Sequence, residues 1–168
     1  MTTELFPDDV LPTVISFTCL GKPVSRGSKS PFVPMGKDGK WKMKPNGKPV
    51  IAMLDSTKER GRDWMASLRD TARMVYRGPL LTGPVKVSIA FVFSRKKSHY
   101  RSGRNRNLLK DSAPKHPTTV NDVDKLARAV LDAMKGILWR DDSQVCKLIA
   151  EKYWGEPAAA IVLVEQML

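Results

Sequence analysis

The chain has 168 residues, which is enough for one domain with its own hydrophobic core. Its 29 lysines and arginines outnumber 17 aspartates and glutamates, for a formal net charge of +12, which favours an anionic partner, nucleic acid ahead of a membrane surface. The sequence lacks an apolar run near the roughly 18 residues that span a bilayer, a signal-peptide-like start, and a C-x-x-C pair. We therefore expect a cytoplasmic protein with no membrane partner, no disulfide framework and no zinc knuckle.

The first part of the chain predicts a strand followed by a basic hairpin. Residues 1–12 are predicted to be an irregular lead, and residues 13–20 are apolar and β-branched, as is typical of a strand. Residues 22–48 hold eight basic residues against one acid, with turn signals at Asp38-Gly39 and Asn46-Gly47. We interpret this segment as a basic hairpin insertion that contacts DNA. Its candidate contacts are Lys40, Lys42 and Lys44.

A helix and a strand are predicted next. Residues 56–59 have the spacing of a helix capping box, which predicts a helix over about 56–76. Its apolar side is predicted to contain Trp64, Leu68 and Met74, with Met65, Ala72 and Val75. Residues 85–95 alternate between apolar and polar with a period of two, which predicts a strand.

Residues 95–117 form a second basic segment, with eight lysines and arginines and one aspartate. We predict that it grips the phosphate backbone and that its two histidines, His99 and His116, are solvated or contact phosphate. Tyr100, like Trp41 in the hairpin, is expected either to stack on exposed bases or to pack within its own loop. The candidate DNA contacts are Arg95, Lys96, Lys97, Arg101, Arg104 and Arg106.

The last part of the chain predicts a helix over 121–136 and two strands over 145–154 and 159–167. The apolar side of this helix contains Leu126, Val130, Ala133, Met134 and Ile137. Together these elements predict an α+β fold, with a small mixed or antiparallel β-sheet packed with two main helices. The basic hairpin insertion and the basic loop are additions to a single domain over residues 1–168.

Five aspartates lie within residues 120–145 of this basic chain: Asp122, Asp124, Asp132, Asp141 and Asp142. A structural interpretation is available for most of them. Asn121 is a good N-cap, Asp122 and Asp124 suit a first helical turn, and Asp132 is spaced for an ion-pair ladder through Arg128. Asp141 and Asp142 are compatible with a turn, although two adjacent carboxylates repel each other and few turns need both.

A metal site is the alternative interpretation of the same residues. Mg²⁺ typically binds through one or two carboxylates, water and a substrate phosphate. Asp122, Asp124 and Asp142 would converge if the strand after Asp142 ran beside the helix start. A metal ion held there would act on a phosphodiester, while the basic loops held the DNA.

The run from Asp122 to Val145, DVDKLARAVLDAMKGILWRDDSQV, resembles the signature of the RusA-type Holliday junction resolvases, a family common in phages and prophages. Members carry a D-x-D-N-L-x-K-x-x-x-D-A-L-like helix and then a D-D-x-Q-V turn into a strand. The resemblance implies a homodimeric, Mg²⁺-dependent endonuclease, in which Mn²⁺ can substitute, that nicks four-way junctions symmetrically. It implies that Asp122, Asp124 and Asp142 are the metal-binding carboxylates, without a small-molecule cofactor.

Two positions depart from the family pattern. Lys125 stands where the family has Asn, and Arg128 stands where it has a functional Lys. Arginine keeps the charge but does not act as an acid or base near neutral pH, so either Arg128 holds phosphate or Lys125 supplies the amine. Asp132, Asp141 and Gln144 are expected in supporting roles. Two rivals stay open: a non-catalytic DNA- or RNA-binding protein, and a degenerate member that binds junctions but cuts poorly.

Overall fold

The computed structural model describes residues 13–27, 29–55 and 59–167, and these confirm the predicted α+β class. The predicted lead over residues 1–12 and most of the predicted capping box, residues 56–58, lie outside the described residues. The main elements in chain order are β1 (Val14–Leu20), β2 (Lys29–Phe32), β3 (Ala52–Asp55), α1 (Glu59–Val75), β4 (Val85–Phe93), α2 (Val123–Met134), β5 (Val145–Trp154) and β6 (Ala159–Gln166).

Four of the strands form one mixed sheet in the order β1-β6-β4-β5. β6 pairs antiparallel with both β1 and β4, whereas β5 pairs parallel with β4. Both helices cover the same face of this sheet, because alternate residues of β1 and β4 are buried and join the helices in one core. None of the helices in the described ranges is both long enough and apolar enough to span a membrane.

The core of α1 differs from the sequence prediction at its end. Trp64, Leu68 and Ala72 are buried, whereas Met74 is 76% exposed and Val75 is exposed as well. The buried residues follow one another at intervals of four and form a stripe along the helix. Met74 lies two residues beyond Ala72, a rotation of about 200°, and therefore points away from the core.

The connection from β4 through α2 to β5 determines the positions of the aspartates in residues 120–145. Because β4 and β5 are parallel, α2 runs back along them, starting near their carboxyl ends and finishing near their amino ends. Lys152, near the end of β5, donates from Nζ to the carbonyl of Asn121 at 3.0 Å. Gln144, just before β5, donates to the carbonyls of Leu81 and Gly83, just before β4.

β2 and β3 form a separate two-stranded ribbon that extends into a small β-meander, and we call residues 29–55 the arm. Isolated bridges join Met35 to Trp41 and Met43 to Pro49. The two predicted turns are confirmed between them: Gly39 and Gly47 have φ values of +73° and +75°, which glycine adopts without strain. The predicted hairpin is thus the tip of a longer arm.

Candidate active site and nucleic-acid interface

Asp122, rather than the predicted Asn121, is the residue that caps the start of α2. Its carboxylate forms an ion pair with Lys125 Nζ at 2.8 Å instead of accepting a hydrogen bond from the helix backbone. The hydrogen bond and charge of Lys125 lower the pKa of Asp122, and the charge of Lys152 adds to the effect. Asp124 follows in the first turn, exposed to solvent. The start of α2 therefore presents two carboxylates to solvent, both favoured by the helix dipole.

The two cations proposed for the family's lysine position differ in their surroundings. The hydrogen bond and charge of Asp122 raise the pKa of Lys125, which favours its protonated form while the two are paired. Arg128 is 71% exposed in its side chain, with Asp132 at 4.0 Å from its Nε. Lys125 is thus paired with Asp122 at the helix start, whereas the described ion pair of Arg128 is with Asp132, one turn further along.

Asp132 differs from the solvent-facing ladder that its spacing predicts. Its carboxylate is mostly buried and forms an ion pair with Arg26, which lies in the segment after β1. The amide of Arg26 also donates to the carbonyl of Lys125 at 3.3 Å. Asp132 thus fastens the segment that precedes the arm to the side of α2, and its supporting role at the site stays a prediction.

Asp141 is part of the turn before β5. Its Oδ1 accepts from the Ser143 amide at 3.1 Å, and its other oxygen forms an ion pair with Lys135. The Lys135 hydrogen bond, followed by those of Ser143, lowers the pKa of Asp141 to about 2. The carboxamide of Gln144 completes a capping box by accepting from the Asp141 amide at 3.1 Å. Asp141 and Gln144 therefore shape the turn.

Asp142 has a different partner, the indole of Trp139. Trp139 is fully buried, and its Nε1 donates to Oδ1 of Asp142 at 3.0 Å. This bond orients a half-buried carboxylate whose second oxygen is left for another partner. Sequence analysis missed Trp139, although its position three residues before Asp142 is the signal that would have indicated it.

The two groups of aspartates lie at opposite ends of α2. The 12 residues of this helix span about 18 Å, with Asp122 at its start and Asp142 beyond its end. Within the described ranges no three His, Cys, Asp or Glu side chains lie close enough to hold a metal ion. Asp122, Asp124 and Asp142 therefore do not converge within one chain. Convergence would require the start of β5 to lie beside the start of α2, but it is the end of β5 that lies there.

A basic cleft of about 530 Å³ adjoins the start of α2. Its wall includes Asn121, the residue before Asp122, and three cations that come from separate segments. Those cations are Lys22, Arg60 and Lys96. Only Lys96 was predicted, because Arg60 belongs to α1 and its position in the cleft depends on how that helix packs. The cleft has the charge and position to hold a phosphate backbone against Asp122 and Asp124.

The base of the basic loop between β4 and α2 packs against Trp154 of β5. His99 is buried against Trp154, with ring centroids 5.1 Å apart and an interplanar angle of 77°, so the expectation of a solvated histidine is wrong. Arg95 lies 5.6 Å from the centroid of the same indole and donates to the Pro114 carbonyl at 3.0 Å. An aromatic partner from the end of β5 thus holds the base of the loop.

The cations of this loop differ in whether they bind partners within the loop. Arg101 pairs with Asp111 at 3.0 Å and donates to the Leu109 carbonyl at 3.2 Å, so it holds the loop together. Five of the predicted DNA contacts in this loop are exposed: Lys96, Lys97, Arg104, Arg106 and Arg101 itself. Lys40, Lys42 and Lys44 of the arm are exposed as well. These eight side chains are the accessible part of the predicted DNA contacts, and Arg101 is the one among them that is paired within the loop.

Comparison with known proteins gives two matches. A family model described as Endodeoxyribonuclease RusA matches residues 31–165, well over half of the chain. The Bacillus subtilis (strain 168) protein named Uncharacterized protein YqaN is 27% identical over 154 residues, which cover 91% of this chain and 96% of that protein. Both the start of α2 and the turn before β5 lie within the range of the family match.

Proposed function

Because the chain belongs to the RusA family of endodeoxyribonucleases, we propose that it resolves Holliday junctions and related branched DNA by paired, symmetric nicks. The proposed metal ion is Mg²⁺, with Mn²⁺ as a substitute. The observation that carries the proposal is the pair of exposed carboxylates, Asp122 and Asp124, beside the cleft of Lys22, Arg60 and Lys96. Bare carboxylates there repel a phosphate, and a divalent cation between them reverses that repulsion.

The proposed roles follow from the contacts of each residue. Asp122 and Asp124 would hold the metal ion, which when bound supplies Lewis-acid polarisation of the phosphodiester and a more acidic water. Lys125 and Arg128 stay charged and position the phosphate, since Lys125 has a raised pKa and arginine does not deprotonate near neutral pH. Asp142 is the third proposed ligand, and one chain does not bring it to the other two.

We propose that the missing carboxylate comes from a second copy of the chain. β5 is an edge strand whose outer side is unpaired among the described residues, and Leu148 and Ile149 are exposed on it. Exposed strand edges favour pairing with another chain. Antiparallel pairing of two β5 strands about a two-fold axis lays the start of each strand along the end of the other. It therefore brings Asp142 of one copy towards Lys152 and the α2 start of the other.

The uncovered face of the sheet is a less suitable interface for this purpose. It carries exposed apolar side chains such as Leu20 and Ile161, so a second copy has apolar surface to pack on. Both helices lie on the opposite face, however, and stacked sheets are about 10 Å apart. Face-to-face packing leaves the aspartates of the two copies on the outside of the dimer. The proposed site therefore favours the β5 edge.

The test is incubation of the full chain with a synthetic four-way junction, with and without Mg²⁺ or Mn²⁺. A linear duplex of the same sequence serves as the matched substrate control. We expect metal-dependent nicks at symmetric positions on opposing strands of the junction. Retention of the junction without nicks under every metal condition would instead support a non-catalytic or degenerate junction-binding protein.

A further inference from the structure

The tip of the arm carries an apolar concavity of about 600 Å³ that opens to solvent. Its walls are apolar side chains and prolyl carbons, with no charged residue among them. The lining residues are Phe32, Val33, Trp41, Met43 and Pro49. Trp41 is 61% exposed, Met43 55% and Phe32 44%, so large apolar side chains meet water where the structure offers them no cover.

Basic side chains occupy the other face of the same segment. Trp41 and Met43 each form an isolated β-bridge and alternate with lysines, an extended pattern in which the two sets point to opposite faces. The lysines are Lys40, Lys42 and Lys44, all exposed. Residues 29–50 contain six lysines and one acid, Asp38, whose carboxylate accepts from the Lys40 amide at 3.2 Å within the turn. The arm is therefore a ribbon with an apolar face and a basic face.

We propose that the concavity around Trp41 binds an unstacked nucleobase of branched DNA, while the lysine face holds the neighbouring phosphates. Every base has a π-face, and stacking on an exposed aromatic side chain is tolerant of sequence. Apolar wedges that separate base steps are a recurrent way for proteins to hold distorted DNA. The charge of the arm favours DNA over a protein partner, because a protein surface would need acidic residues to match the six lysines of residues 29–50.

The framework of the arm suits this role. The Lys42 amide donates to the Pro34 carbonyl at 2.9 Å, and the Val50 amide donates to the Lys42 carbonyl at 2.9 Å. These bonds hold the segment of Trp41 and Met43 between two neighbouring segments of the arm. A preorganised platform avoids the cost of ordering the side chains when a base binds. The inference rests on the proposed DNA substrate but does not depend on cleavage.

The test measures binding without a metal ion, using the full chain and a four-way junction that carries 2-aminopurine at the branch point. Stacking of this base on Trp41 quenches its fluorescence. Trp41→Ala should abolish most of the additional quenching and weaken binding to the junction by about 5- to 150-fold, the range for loss of one stacked base. Trp41→Phe, which keeps an aromatic ring, should restore most of both. Affinity for a linear duplex should change less than two-fold.

Lys44→Ala is the matched control on the basic face of the arm. It should leave the quenching at saturation intact and lower the log–log salt slope by about 0.9 for junction and duplex alike. Unchanged junction affinity and quenching in Trp41→Ala would overturn the proposal. So would a loss of dimer in sedimentation for Trp41→Ala, since the concavity would then serve a second copy. If the wild-type chain does not nick the junction, that result counts against the proposed nuclease activity but not against base binding by the arm.

Discussion

At the scale of single residues, the five clustered aspartates divide according to their partners. Asp132 and Asp141 are ion-paired to Arg26 and Lys135, and each fastens one segment of backbone to another. Asp122 and Asp124 face solvent at the helix start, and the Trp139 indole orients Asp142. A divalent cation would gain most from the last three, because Asp122 and Asp124 are exposed and only one oxygen of Asp142 is engaged by Trp139 in the described contacts.

We predict that Asp122→Asn, Asp124→Asn and Asp142→Asn each lower junction cleavage by a factor on the order of 100 or more, because each removes a negative ligand while keeping its shape. Metal-free junction binding should persist or tighten, since repulsion of the phosphate backbone decreases. The measurement is single-turnover cleavage beside binding, with folding checked by circular dichroism.

Asp70→Asn is the matched control for these variants. Asp70 is exposed on α1 and pairs only loosely with Arg73, at 3.7 Å, so its loss should leave cleavage within about two-fold, as for most surface changes. Full cutting by folded Asp142→Asn would contradict the proposed ligand set. The helix-cap interpretation predicts a different result, a modest loss of stability in Asp122→Asn with cleavage by the folded fraction intact.

The Lys135–Asp141 pair predicts a pH dependence of stability. The pKa of Asp141 is lowered to about 2 in the folded chain, so its stabilisation is complete above the unfolded value of 3.8 and is lost as pH falls towards 2. Asp141→Asn should therefore lower Tm at pH 6, and the difference from wild type should shrink between about pH 4 and pH 2. Thermal melts over this range measure it. A Tm difference that stays constant with pH would show that the charge of Asp141 contributes nothing.

At the scale of elements, the basic loop is a folded support for a few exposed cations. His99 and Arg95 fasten its base to Trp154, and Arg101 pairs with Asp111 inside it. Arg104 and Arg106 lie exposed near its tip. Affinity for DNA should therefore depend on Arg104 and Arg106 at the tip. The stability of the loop should depend on Arg95 and Arg101, which make contacts that hold it.

We predict that Arg104→Ala with Arg106→Ala lowers the log–log salt slope of junction binding by about 1.8, because each lost phosphate contact contributes about 0.9. Arg73→Ala with Arg77→Ala removes the same charge near the other end of α1 from Arg60 and serves as the control. Fluorescence anisotropy over a series of salt concentrations measures the slopes. Equal slopes for the two double variants would mean that net charge, rather than the loop tip, determines binding.

The order and type of the elements in the main sheet and of both helices were predictable because their periodicities are strong, whereas β2 and β3 were not predicted. The period of two in β4 and the apolar stripe of α2 place both elements within two residues of their observed bounds. The position of Asp142 was not predictable, because it depends on β5 being parallel to β4. The sequence pattern of a single strand does not indicate whether it runs parallel or antiparallel to its neighbour. The ties of Arg26 to Asp132 and of Arg95 to Trp154 likewise join segments far apart in the chain.

At the scale of the whole molecule, one chain does not bring the three proposed metal ligands together, but a two-fold dimer would. One chain separates Asp122 from Asp142 by the length of α2, yet β5, whose outer edge has no partner among the described residues, runs between them. A junction also has two strands to cut at symmetric positions, which suits a two-fold dimer. The predicted dimer should be detectable by analytical ultracentrifugation at micromolar concentration or on junction DNA. An 18.8 kDa monomer alone in solution, with no dimer on junction DNA, would contradict it.

Mixing two inactive variants tests the shared site directly. In a dimer of one Asp122→Asn chain and one Asp142→Asn chain, one composite site contains both substitutions and the other contains neither. Random exchange of subunits makes half of the dimers mixed, so about a quarter of all sites should be intact. We therefore predict that co-expressed variants recover about a quarter of wild-type nicking at saturating metal, although each alone is inactive. A site built within one chain predicts no recovery, because every chain then carries a defective site. Mixing Asp122→Asn with Asp124→Asn is the matched control, since both lie at the same end of α2 and no composite site escapes substitution.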